Sequence, residues 1–227
     1  MHLRTFSKSL AVLAIAVGSG LIVLVCYAFV IRTQAERLLD DLTSLSVGNS
    51  TETDVHHLAQ RHKWFLVSEG CTDGDCTTIF NVRNRWLWVL KLEPLADFTV
   101  EIYVKAGTVS HISASLIRYM EIFPTFGASA GIVDEYSEFP DYFHSARHYA
   151  FPTPVGKPYL RVILDSHAST AERGRAFHFS LRCLVKPGGG CDLPCDYLPL
   201  AWQDWKAAVR VSEMFDQSYP KNSRCKP

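Results

Sequence analysis

The chain opens on a run of 22 residues without a charge, Leu10 to Ile31. As a helix rising about 1.5 Å per residue this run is roughly 33 Å long, enough to cross a hydrocarbon core of about 30 Å. Beyond it the apolar positions thin out to Ala35, Leu38, Leu39 and Leu42, the spacing of one helical face, so a stalk helix is expected over 32–46. Val47-Gly48-Asn49 stops that helix. Ser50 or Thr51 then caps a second, short helix, whose first turn carries Glu52 and Asp54 where the macrodipole favours acids. Val55, Leu58, Ala59 and His62 form its inner face, and Arg61 to Lys63 place positive charge at its far end.

Past Lys63 the period shortens to two. Phe98, Val100, Ile102 and Val104 alternate with Thr99, Glu101, Tyr103 and Lys105, the pattern of a half-buried strand. Ala106-Gly107 turns it into a partner over Thr108 to Tyr119, with Ile112, Ala114 and Leu116 facing inward. Thr77 to Val82 and Trp86 to Leu92 flank Arg83-Asn84-Arg85 and predict another hairpin, its second strand apolar on both faces and therefore central. The unit over 47–122 is thus a helix plus an antiparallel sheet.

The texture changes over 123–158, where Pro124, Pro140, Pro152, Pro154 and Pro158 stand among eight aromatics. Proline removes ladder donors while the aromatics still seek burial, so the expectation is a long, partly ordered crossing segment that divides the sheet from a second set of strands, its aromatics packed as core or, as the alternative, exposed as a partner site. The remainder, 159–227, predicts strands over Tyr159 to Asp165 and Ala176 to Lys186, then a Cys-rich turn. A C-terminal helix follows, with Trp202, Trp205, Ala208, Val209 and Ser212 on one face. The fold class expected is α+β: an N-terminal transmembrane helix, then an extracytoplasmic antiparallel-sheet domain with a short N-terminal helix and a C-terminal helix.

Length separates a retained span over 10–31 from a cleaved signal, whose apolar core runs to about 7 to 15 residues, and no A-x-A site follows here. A lipid anchor on Cys26 would need a small residue where bulky Val25 stands. Arg4 and Lys8 before the span, against Arg32 and Arg37 after it, tilt residues 1–9 towards the cytoplasm. The cysteines point the same way. Cys26 lies in the span, while Cys71, Cys76, Cys183, Cys191, Cys195 and Cys225 all follow it, an even number that suits disulfides in an oxidising compartment. Cys71 and Cys76 close a short loop around Asp73-Gly74. The other four allow three connectivities, and the stiffness of Pro194 favours Cys183 with one of Cys191 and Cys195, and Cys225 with the other. Zinc is the weaker reading of those four, because C-x-x-x-C with one remote cysteine departs from paired C-x-x-C.

The stretch Ser44 to Leu58, through Leu45, Gly48, Ser50 and Val55, resembles the turn-helix opening of small bacterial envelope lipoproteins of the SmpA/OmlA type, which assist outer-membrane assembly. The lipidation box and the Gly-x-Pro of that family are not present, and the resemblance implies only an envelope α+β module. Asn49-Ser50-Thr51 is a glycosylation acceptor if the source organism glycosylates exported chains.

The chain carries 23 basic and 23 acidic residues, so it lacks the basic footprint of a nucleic-acid binder. His57 and His62, five apart, point about 140° from one another on a helix and do not share a metal. His144 and His148 in "FHSARHY" stand four apart, the spacing that aligns two imidazoles on a helical turn, and are the candidate metal ligands; no third ligand is picked out. Gly188-Gly189-Gly190 fits no phosphate-binding pattern, and Asp165-Ser166-His167 would alternate faces in a strand. No catalytic residue and no cofactor is therefore expected. The expected function is a non-enzymatic, single-pass, membrane-anchored binding or assembly module of the cell envelope with a possible protein partner. The alternative is an anchored hydrolase or metal-dependent enzyme.

Overall fold

The computed structural model describes residues 2–72, 74–91, 95–120, 123–134, 147–152, 158–185, 191 and 193–208, with side chains described over 14–72, 74–91, 95–119, 127–134, 159–185, 191 and 193–205. Helix α1, His2–Thr43, is one continuous rod of 42 residues. Its apolar part is long enough to cross a membrane and is not buried by the protein. Its last turns are a different matter: Ala35, Leu38, Leu39 and Leu42 are buried in the core. The stalk expected over 32–46 is therefore a core helix, and no spacer separates the span from the domain.

A turn at Gly48, held in the left-handed region at φ 80°, leads to α2, Glu52–Arg61. Thr51 is its N-cap. The Asp54 carboxylate accepts from the Thr51 amide at 2.8 Å and from its hydroxyl at 2.9 Å, which holds the carboxyl below its ordinary range. Ser50, the other expected cap, serves the preceding turn by accepting from the Ser46 amide at 2.9 Å.

Seven strands follow: β1 Leu66–Thr72, β2 Asp75–Arg83, β3 Ala96–Lys105, β4 Thr108–Met120, β5 Phe123–Val133, β6 Arg147–Pro152 and β7 Pro158–Asp165. They form one mixed sheet in the order β1-β2-β3-β4-β5-β7-β6, antiparallel except for β5 and β7. The predicted β3 to β4 hairpin is present, and both of its turn residues take positive φ, Ala106 at 51° and Gly107 at 81°.

Three expectations are corrected. Over the described part of the strand expected at Trp86 to Leu92, α3, Arg85–Val89, and a turn at Leu90 and Lys91 stand instead, and of the α3 side chains only Leu87 is buried; Leu92 lies outside the described residues. An all-apolar run reads as a strand buried on both faces, yet Asn84 ends β2 by accepting from the Ala96 amide at 2.8 Å and turns the chain out of the sheet. Residues 123–158 do not divide the sheet from a second set of strands, since β5 and β6 lie within them and belong to the same sheet. The Gly127-Ala128-Ser129-Ala130-Gly131 run of β5 has weak strand propensity, and pairing on both edges overrides it. Of the strand expected over Ala176 to Lys186, the described part, 176–185, is not a strand. It ends α4, Thr170–Ala176, and enters a 3-10 turn over Leu181–Leu184. The sequence carried the signal: Ser169-x-x-Glu172 is a capping box, with the Glu172 amide donating to the Ser169 hydroxyl at 3.2 Å and its carboxylate accepting from the Ser169 amide at 2.8 Å.

α5, Pro194–Tyr197, and α6, Pro199–Ala208, complete the described fold. Trp202 and Trp205 stack at 4.7 Å and are nearly buried, and the Arg175 guanidinium ties α4 to Asp204 of α6. Val209 and Ser212, expected on the same helical face, lie outside the described residues.

Candidate functional site

Register decides which side chains share a face. Val82, Phe98, Leu116, Ala128 and Leu160 are direct neighbours across β2, β3, β4, β5 and β7, and all are fully buried. Phe80, Val100, Ala114, Ala130 and Val162 form the next such row. The end of α1, α2, the 3-10 turn and α5 pack over this side. Arg118 belongs to it too: its buried guanidinium donates to the Cys191 carbonyl at 3.1 Å, which also accepts from the Tyr197 hydroxyl at 2.7 Å.

The opposite side carries the intervening rows. Thr99, Ser115, Ser129 and Arg161 make one; Glu101, Ser113, Gly131 and Ile163 make the next; Tyr103, His111 and Val133 make a third. Most of these side chains are half-exposed. Apart from Thr99, these residues and Tyr159 line a groove of about 1040 Å³. Its floor is made of serine and glycine, so the backbone lies near the surface and the flanking groups stand proud. Tyr103 meets His111 edge to face at 5.4 Å. Burial, helped by the Arg161 charge, pushes the His111 imidazole below its ordinary value, so it is neutral at pH 7. Burial raises the Tyr159 phenol against a hydrogen bond with Ser129. The groove thus offers hydroxyl and imidazole donors and acceptors over a small-residue floor, with Asp75, Glu101, Lys105, Asp134 and Arg161 as the charged residues of its lining.

A second hollow of about 770 Å³ lies between the end of α1 and α2, lined by Asp41, Asn49, Asp54, His57 and Arg61 among others. Its central acid is already engaged: Asp41 meets the Arg61 guanidinium at 3.1 Å and the buried His62 Nε2 at 2.8 Å. His56 is instead 3.0 Å from Glu69. His56 and His62 are thus held by separate acids and are not brought together.

Cys71 and Cys76 form a disulfide at the tip of the β1 to β2 hairpin, and Cys183 and Cys191 form a second. Cys195 is disulfide-bonded as well, and Cys225, the partner expected for it, lies outside the described residues. Cys26 in the apolar part of α1 is the free cysteine among the described residues. Bonded cysteines beyond the span are the usage of an oxidising compartment. Glu52 lies beside Cys71 and Cys76, the one grouping among the described residues with three donor atoms close enough for a metal ion, but both sulfurs are committed to the disulfide.

Of the candidate metal ligands, His148 lies on strand β6 opposite Val162, so its helical spacing from His144 does not apply there. His144 is outside the described residues. The groove residues Tyr103, His111, Ser113, Ser115, Ser129, Tyr159 and Arg161 were not singled out in the sequence. Its only trace of them was the alternation of polar positions opposite the core rows. Comparison with protein families, with curated proteins and with solved structures finds no match to this chain.

Proposed function

We propose that this protein is a single-pass, membrane-anchored binding or assembly module of the cell envelope that acts without catalysis, its domain held outside the cytoplasm and residues 1–9 inside. The observation that supports the reading is the groove on the sheet face opposite the described helices, on a domain whose core includes the last turns of the membrane-length helix α1. Its serine and glycine floor suits an extended polypeptide, because the hydroxyls donate as well as accept and small side chains let another backbone approach closely. The orientation is supported by the basic residues before the span and by the disulfides after it. A partner made of nucleic acid does not suit a groove whose charged lining, Lys105 and Arg161 against Asp75, Glu101 and Asp134, carries no excess of positive charge.

The test uses a photo-crosslinking amino acid in place of Ser113, Ser115 or Ser129 of the full chain in intact envelopes. A discrete protein adduct is expected from these positions and none from Gln60 on α2. Silence from all three groove positions, with the chain inserted and its disulfides formed, would sink the reading.

A further inference from the structure

The run from Arg83 to Lys91, "RNRWLWVLK", places a cluster of large apolar side chains in solvent, as Trp64 and Val67 near the start of β1 also are. Trp86 is 57% exposed, Trp88 46%, Val89 51% and Leu90 50%. Two features locate this surface. The first is a contact with α1: the Tyr27 hydroxyl donates to the Arg83 carbonyl at 3.4 Å and lies against the Trp86 backbone. The second is the packing of Leu24, Tyr27, Ala28 and Ile31 against the domain's core cluster. All four belong to the uncharged run that ends at Ile31. At about 1.5 Å per residue Tyr27 sits roughly 6 Å, and Leu24 roughly 10 Å, below the end of that run. The domain therefore reaches down beside the last turns of the span, and α3 is the element that meets them.

We propose that α3 and the Leu90-Lys91 turn after it are embedded in the interface of the bilayer that α1 crosses, so that the domain is seated on the membrane rather than hung above it. An interfacial helix buries its apolar face about 5–10 Å into the boundary between headgroups and acyl chains, which is the depth that the Tyr27 contact assigns. The chemistry agrees. Tryptophan favours this layer because its ring is apolar and its indole N–H seeks a polar partner, and Arg83, Arg85 and Lys91 flank the apolar residues with no acid in the run. The lipid is chosen over a protein partner because the exposed residues of α1 on the Tyr27 side, Val23 and Val30, must themselves face acyl chains if the span is inserted. Topology gives the contact a consequence: α3 joins the end of β2 to β3, so seating it in lipid holds the Cys71 and Cys76 tip at the far end of β2, away from the membrane.

The proposal rests on α1 spanning the bilayer, and the experiment separates the two. The full chain is inserted into phosphatidylcholine vesicles containing a minority of phosphatidylglycerol, and carbonate-resistant flotation shows insertion. Tryptophan emission is then quenched either by lipid brominated near the top of the acyl chain or by iodide in the water. The pair Trp86→Phe and Trp88→Phe, which keeps an apolar aromatic side chain at each position while removing the indole emission, is compared with the unaltered chain, with circular dichroism reporting the fold. The expected result is that the pair removes at least half of the quenching by brominated lipid. Inserted chains whose lipid quenching is unchanged by the pair, with iodide reaching Trp86 and Trp88, would overturn the interfacial seat and leave the span standing. Chains that fail to float would overturn both.

Discussion

The two sides of the sheet are built from alternate residues of the same strands, and they have opposite characters. On the helix-covered side, the row from Val82 to Leu160 is fully buried and large at its centre, with Phe98 edge to face on Phe179 at 5.6 Å. On the other, the row from Thr99 to Arg161 has two serines at its centre and a cation at its end. Core rows maximise apolar area removed from water. The groove rows leave that stabilisation unused, and what they offer is reachable polar groups on a rigid support. A site on a sheet face borrows its rigidity from the packing behind it, so each side can be disturbed with different consequences.

The largest effect is expected behind the sheet. Phe98→Ala should cost about 3–5 kcal/mol by leaving a cavity against Phe179, read as a shift in the denaturant midpoint of the domain. A loss below about 1 kcal/mol would mean that the helices collapse into the space, and that the two sides are less distinct than their burial indicates. Next comes the clamp that holds the helices down. Replacing Cys183 and Cys191 with serine should cost about 2–4 kcal/mol, and protease susceptibility should rise first at the 3-10 turn and α5.

Smaller effects are expected on the groove side, where two glycines give a matched pair. A Cβ at Gly127 would meet the Leu116 carbonyl oxygen at 2.7 Å and a Tyr159 ring carbon at 3.1 Å, whereas one at Gly131 finds its nearest atom at 3.4 Å. Gly127→Ala should therefore destabilise by about 1–3 kcal/mol and displace Tyr159, while Gly131→Ala stays near neutral. Equal melting temperatures for the two variants would contradict the register of β5 against β4.

The smallest effect is a pH dependence. His111 has a folded pKa below its unfolded value of 6.5, through burial first and the Arg161 charge second. The unfolded chain therefore binds its proton first as pH falls. Stability is at its full value above pH 6.5 and is lost progressively below it, with Tyr103 and Arg161 as the groups facing the ring. His111→Gln should flatten that acid limb of the stability profile, and Arg161→Gln should flatten it in part. Unchanged profiles would place the imidazole in water and not in the groove wall.

The sequence by itself determined the elements whose pattern is local. The length of the uncharged run marks the span, strict alternation marks β3 and β4 with their Ala106-Gly107 turn, and Thr51 with Asp54 marks the start of α2. It also determined the Cys71 to Cys76 pairing, because a six-residue loop brings its own ends together. What depends on distant neighbours was decided only by the tertiary structure. Trp86 to Leu90 is apolar whether it lies in a central strand or on an exposed helix, and Asn84, bonded to Ala96 across the sheet, decides for the helix. β5 is poor in strand formers and is a strand because β4 and β7 pair it on both edges. Ala35 to Leu42 has the spacing of any amphipathic helix, and only the sheet beneath makes it core. The groove was hidden for the same reason: Ser113, Ser129 and Arg161 lie far apart along the chain, and it takes the register of three strands, one of them parallel, to set them side by side.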